Sequence, residues 1–127
     1  MTDRQDKSKI KSFTDLVAWQ ESHKLVLMVY KISDKFPSKE NFGLTSQIKR
    51  AAVSVSSNIA EGFSRNSNAD KAHFYTMAMG SLTELQNQIL VARDVNYISQ
   101  KEFLDLANQS VIVSKLINGL KKVNFRY

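Results

Sequence analysis

The chain has no cysteine, which excludes a disulfide framework and any thiolate-held metal centre and fits a reducing compartment. One proline and four glycines among 127 residues leave little punctuation, so long helices are expected rather than a many-turned sheet. No apolar run is long enough to cross a bilayer. The opening MTDRQDKSKIK also lacks the apolar stretch of a signal peptide. A cytoplasmic protein without a membrane partner is the expectation. Two histidines are too few for most metal centres. H-E-x-x-H, G-x-S-x-G, a glycine-rich phosphate loop and the paired Glu-x-x-His motifs of di-iron bundles are missing. No catalytic residue, metal or cofactor is assigned, and no enzymatic activity is expected.

Positive charge is what the sequence has in excess. Eighteen lysines and arginines against twelve acids give a net charge of +6 and a pI near 9.6. Such a balance points towards polyanions, nucleic acid first, although a basic surface also serves solubility alone.

Four helical segments are separated by short breaks, with a polar basic arm over residues 1–12, a bundle over 13–123 and a short basic and aromatic tail over 124–127. The first helix is expected from about Thr14 to Lys35, capped by Ser12 or Thr14 with Asp15 in its first turn, and stopped by Phe36-Pro37. Leu16, Trp19, Val26 and Tyr30 recur on it at helical spacing, with His23 on the same stripe as a core or interface histidine. The second runs from about Leu44 to Gly62, the glycine suiting a left-handed cap. The third opens at Ser67 with Asp70 three residues on, and continues to about Asn96. The fourth opens on the capping box Ser99 to Glu102 and runs to about Val123. Connections this short make sequential helices antiparallel neighbours, so the fold class is all-α, an up-down-up-down four-helix bundle.

Two features reach beyond the fold. The third helix has one apolar stripe of Phe74, Ala78, Leu85 and Ala92 and a second of Tyr75, Met79, Leu82 and Ile89. So wide an apolar arc is buried on two sides; the second side is read as an oligomer interface, with a broad core contact inside one chain as the alternative. The second helix holds SVSSNIAEGFSRN, where small polar residues replace leucine. There Gln47, Arg50, Ser54, Asn58 and Glu61 step along one face beside the core row Leu44, Ile48, Ala51, Val55 and Ile59. A packing seam whose polar groups satisfy one another is favoured over a ligand site built on Arg50, Asn58 and Glu61. Trp19, Met28, Met77 and Met79 read as core or interface filling, and His73 as exposed.

The ordered set FTDLVAWQ, FPSKENFGLTSQIKRAAVS, SNIAEG and FYTMAMGSLTEL resembles the four-helix-bundle proteins named for intervening sequences in 23S ribosomal RNA genes. The same superfamily includes the accessory variability determinant of diversity-generating retroelements. The resemblance spans about residues 13 to 98 and implies a four-helix protomer, a homopentameric ring and no enzymatic activity. Its retroelement branch implies partnership with a reverse transcriptase and template RNA. Ser56 stands where the family often has proline, which implies a straighter second helix.

Antiparallel helices would gather the arm, the loop between the second and third helices, and the C-terminus at one pole. There Arg4, Lys7, Lys9, Lys11, Arg65, Lys71, Lys121, Lys122 and Arg126 face Asp3, Asp6, Asp15, Glu61 and Asp70, a surplus of four positive charges. At the other pole six cations face five acids. Phe63, Phe125 and Tyr127 join the cationic pole and are expected to stack on unpaired bases while the cations meet phosphate. A non-catalytic oligomeric bundle that binds RNA or DNA and scaffolds a ribonucleoprotein is the leading reading. A protein–protein adaptor that binds no nucleic acid is the alternative, and a bundle with a small-molecule pocket at Arg50 and Glu61 the third.

Overall fold

The computed structural model describes residues 10–125. Within them four helices and no strand are present: α1 (Val17–Ser33), α2 (Leu44–Ser64), α3 (Asn68–Asp94) and α4 (Gln100–Phe125). Each helix packs on its sequence neighbours, and α4 closes the bundle against α1. Cross-helix bonds fix the directions. Ser54 and Ser81 share a hydrogen bond at 2.8 Å, Gln86 donates to Ser110 at 3.2 Å, and Gln109 donates to the Glu21 carbonyl at 2.9 Å. Lys121 follows Ser110 by eleven residues and Tyr75 precedes Gln86 by the same eleven. At about 1.5 Å per residue the end of α4 therefore stands level with the start of α3.

Local chemistry sets each boundary. Ser12 accepts from the Thr14 N–H, and Asp15 accepts from the Ser12 and Lys11 N–H groups, but the box closes only a 3-10 turn over Phe13–Asp15. Leu16 is extended there, so α1 starts at Val17 rather than Thr14. Glu40 caps the start of α2 by accepting from the Leu44 N–H at 3.0 Å. Ser67 accepts from the Asp70 N–H, and α3 ends where Asn96 turns left-handed at φ 66° and the Tyr97 N–H reaches back to the Ala92 carbonyl. The box at α4 is complete: Ser99 N–H donates to Glu102 and Glu102 N–H to Ser99. With serine at position 56, α2 runs unbroken, Ser56 bonding back to the Val53 carbonyl.

The core contains Leu25, Val29, Ile48, Val55, Ile59, Leu85 and Ile117. Four expectations need correction. On α1 the core row is Ala18, Ser22, Leu25, Val29 and Ile32, about one residue's rotation from the stripe read through the aromatics. Tyr30 is exposed, and His23 and Met77, read as core or interface residues, are exposed too and so are not in the core. Tyr75, Leu82 and Ile89 are only 3%, 1% and 2% exposed inside the single chain, with Met79 partly buried beside them, so they offer no subunit interface. The physical reason is that α3 packs against both α2 and α4, which consumes its wide apolar arc. Gly62, finally, is not a left-handed cap: no glycine has positive φ among the described residues. It is buried because the Tyr75 ring lies where a Cβ would sit, 2.6 Å away.

Two measurements check this account. Gly62→Ala forces a rigid buried ring aside and should cost ~1–3 kcal/mol in chemical denaturation, whereas Gly80→Ala, with open space around it, should add ~0.5–1 kcal/mol. The Glu102 carboxyl is held below its ordinary range by the Lys35 amine first and the Ser99 N–H second. A depressed folded-state value contributes stability that is present above the unfolded carboxyl range and lost as pH falls through the folded value. Glu102→Gln should accordingly shrink the drop in denaturation midpoint between about pH 7 and about pH 3.

Candidate nucleic-acid interface

One pole gathers the start of the described chain, the Arg65–Ser67 connection and the end of α4. Lys11, Arg65, Lys71, Lys121 and Lys122 meet there against Asp15, Glu61 and Asp70, a surplus of two positive charges. The remainder of the surplus expected from sequence, Arg4, Lys7, Lys9 and Arg126 against Asp3 and Asp6, lies outside the described residues, as do Tyr127 and the Phe125 side chain.

These cations are not equivalent. Lys71 is half-buried and donates to the Phe63 carbonyl at 2.7 Å and the Gly62 carbonyl at 3.3 Å, closing the C-terminus of α2. Desolvation there lowers its pKa. Its ammonium also stands 5.4 Å from the Phe63 ring centroid, so that ring already has a cation over it. Arg65 pairs with Glu61 at 2.6 Å and lies over Phe74 at 4.5 Å. Both groups are solvated, so the ion pair contributes little to stability and opens readily to another anion. Lys11 and Lys122 are exposed.

At the same end of α1 Phe13, which sequence inspection did not single out, joins Trp19 and His23 in an aromatic group. Phe13 meets Trp19 edge-on at 5.4 Å, and His23 stacks on Trp19 at 4.7 Å with the planes 12° apart. Trp19 and His23 are four residues apart in α1, which was the available signal. Phe13 and His23 are exposed.

The polar stripe of α2 is split by depth. Ser54 and Asn58 are half-buried: Asn58 donates to the Ser54 carbonyl at 2.9 Å and its hydroxyl at 3.2 Å, and that hydroxyl meets Ser81 on α3. Gln47, Arg50 and Glu61 are exposed, and the structure does not bring Arg50 to Glu61, whose partner is Arg65. Among the described residues no cluster of three His, Cys, Asp or Glu side chains could hold a metal ion, and no helix is long and apolar enough to cross a membrane. At the opposite pole the charges are largely spoken for, with Lys35 on Glu102, Lys101 on Asp105 and Arg93 on Asp94.

The family model described as 23S rRNA-intervening sequence protein matches residues 14–119. No curated protein matches the sequence. A crystal structure of a protein of unknown function from the S23 ribosomal protein family of Bacteroides thetaiotaomicron is similar with a TM-score of 0.77 and 20% identity, over 84% of this chain and 99% of that one. At that identity the likeness shows a shared fold.

Lys71 and Lys122 should separate in a stability measurement. Lys71→Met removes the donor to the Phe63 carbonyl, the Gly62 carbonyl keeping the Arg65 N–H, and should cost about 1 kcal/mol, while Lys122→Met should stay within about 0.5 kcal/mol of the parent.

Proposed function

The chain belongs to the family of 23S rRNA-intervening sequence proteins, and from its cationic pole we propose that it is a non-catalytic, oligomeric nucleic-acid-binding scaffold. The observation that supports this most directly is the antiparallel order of the helices, which gathers Lys11, Arg65, Lys71, Lys121 and Lys122 at one end beside the exposed Phe13 and His23 rings that flank half-buried Trp19. Cations spaced over a pole meet phosphate oxygens without reading sequence. Exposed rings add stacking on unpaired bases, so structured RNA with loops or bulges is the preferred class over plain duplex.

Self-association into a ring, with five copies as the resemblance to the family implies, would repeat the pole around an axis and multiply weak phosphate contacts. Assembly into a ribonucleoprotein that includes a reverse transcriptase comes from the resemblance to the accessory variability determinants, and no residue of the pole speaks for it. Described-chain chemistry supports the polyanion part alone.

Filter-binding titration of structured RNA and of duplex DNA across a salt series tests the proposal. Affinity should fall steeply with salt, and Lys11→Glu with Lys122→Glu should lower the slope of log affinity against log salt by about 0.7–0.9 for each cation lost per bound protomer. Absence of salt-dependent binding at low ionic strength would return the chain to the adaptor reading, in which RNA and DNA fail to compete with an acidic protein.

A further inference from the structure

Phe42 is 100% exposed, the most exposed large apolar side chain among the described residues. It does not sit on a loose loop. Glu40, two residues before it, accepts from the Tyr97 hydroxyl at 2.8 Å and from the Leu44 N–H at 3.0 Å. The Gly43 N–H donates back to the Glu40 carbonyl at 2.9 Å, and the Asn41 N–H to the Ser38 carbonyl at 3.0 Å. An aromatic ring with no cover on a backbone pinned from both sides is preorganised to enter something.

The same molecule has a matching recess. Between the last turns of α1 and the first turns of α4 lies an open cavity of about 460 Å³, floored by Met28, Ile32 and Leu106 and rimmed by Lys35, Glu102 and Asp105. It is close to the pole that holds Phe42, since α1 ends at Ser33, α4 begins at Gln100 and the Phe42 connection follows α1 directly. Phe42 cannot occupy this recess in its own chain, because it touches nothing there. Two copies standing parallel bring the ring of one to the level of the recess of the next. One benzyl group buries only about 150–250 Å², short of the roughly 800 Å² per partner of a stable interface. Further apolar area lies alongside: Leu27 is 57% exposed one turn from Lys31, and Ile112 is 44% exposed two turns along α4 from Asp105.

We infer that Phe42 of one copy docks in the α1–α4 recess of a second copy, a head-to-tail contact between parallel protomers. It rests on the self-association part of the proposed function and names the surfaces that make it. Knob and recess are different patches, so the contact propagates and closes into a ring when the rotation allows.

The absence of native cysteine makes the test clean. Asn41→Cys, which keeps the Phe42 ring, and Lys31→Cys, on the wall of the recess, are prepared separately, and the two are combined and treated with a short bis-maleimide. A covalent heterodimer should form from the pair and from neither alone. It should be suppressed by excess parent chain, and Val123→Cys, on the far pole, should not replace Lys31→Cys. Phe42→Ala should shift the intact mass towards monomer while leaving the thermal midpoint within a few degrees of the parent. An assembled parent chain that gives no selective heterodimer, or that keeps its mass as Phe42→Ala, overturns the docking contact and leaves self-association standing. A parent chain that is monomeric at every concentration overturns both.

Discussion

The Tyr75 ring lying on the bare backbone of Gly62 is the contact on which the rest of the molecule depends. A side chain at position 62 would push α2 and α3 apart at the turn that joins them, where three residues separate the helices. Their close approach continues through Ala51, Ala52, Ser54, Ala78 and Ser81, small enough for the helices to come together and polar enough at Ser54 and Ser81 to bond across the seam. Burial raises the Tyr75 phenol to about 12, so the ring stays neutral and in place throughout the range in which the fold is used. With α2 and α3 locked as a pair, α1 and α4 cover the two remaining sides, and the first described residues and the end of α4 fall at the Gly62 pole.

That origin explains why the cationic pole is partly structural. Four of the first things a polyanion would meet, Lys71, Arg65, Phe63 and Phe74, already pair among themselves and with the end of α2. Lys71 donates to the Phe63 and Gly62 carbonyls at the end of α2, so its charge is committed to the fold before any ligand arrives. Arg65 differs, because an exposed ion pair in water is nearly free to open. The charge that remains available is at the edges of the pole, on Lys11 and Lys122, next to the segments that lie outside the described residues. Among the described residues the two poles differ by one unit of charge.

Much of this was legible in residue order. The Ser67 cap, of which only the serine half forms, the full box at Ser99 and the core row Leu44 to Ile59 each state a local rule that tertiary packing has no reason to override. The failures have a common cause: local patterns with two solutions. On α1 the rows through Trp19 and through Leu25 both repeat every three and four residues, and the larger side chains draw attention to the row that lies half outside. A glycine at a helix end serves a left-handed turn or a close approach equally well, and only the position of Tyr75 decides. The wide arc of α3 fits two neighbours of either origin, and the fold supplies both from one chain. Phe42 gave no signal at all, because exposure of a single aromatic in a short connection has no sequence periodicity.

The two poles make different demands on an assembly, and the proposed contact reconciles them. Protomers related by a two-fold axis across the bundle would point their cationic poles in opposite directions and halve the charge that any one ligand meets. A knob and a recess at one level instead hold the copies parallel, so every cationic pole faces the same way and the docking surface is at the far end from it. Each protomer offers few uncommitted cations, and each phosphate neutralised shifts the salt slope by less than one unit. Useful affinity therefore has to come from repetition, through the high effective concentration of neighbouring poles for one flexible strand. On this argument the apolar ring at Phe42 and the basic residues at the opposite end act as one device, since losing the first scatters the second.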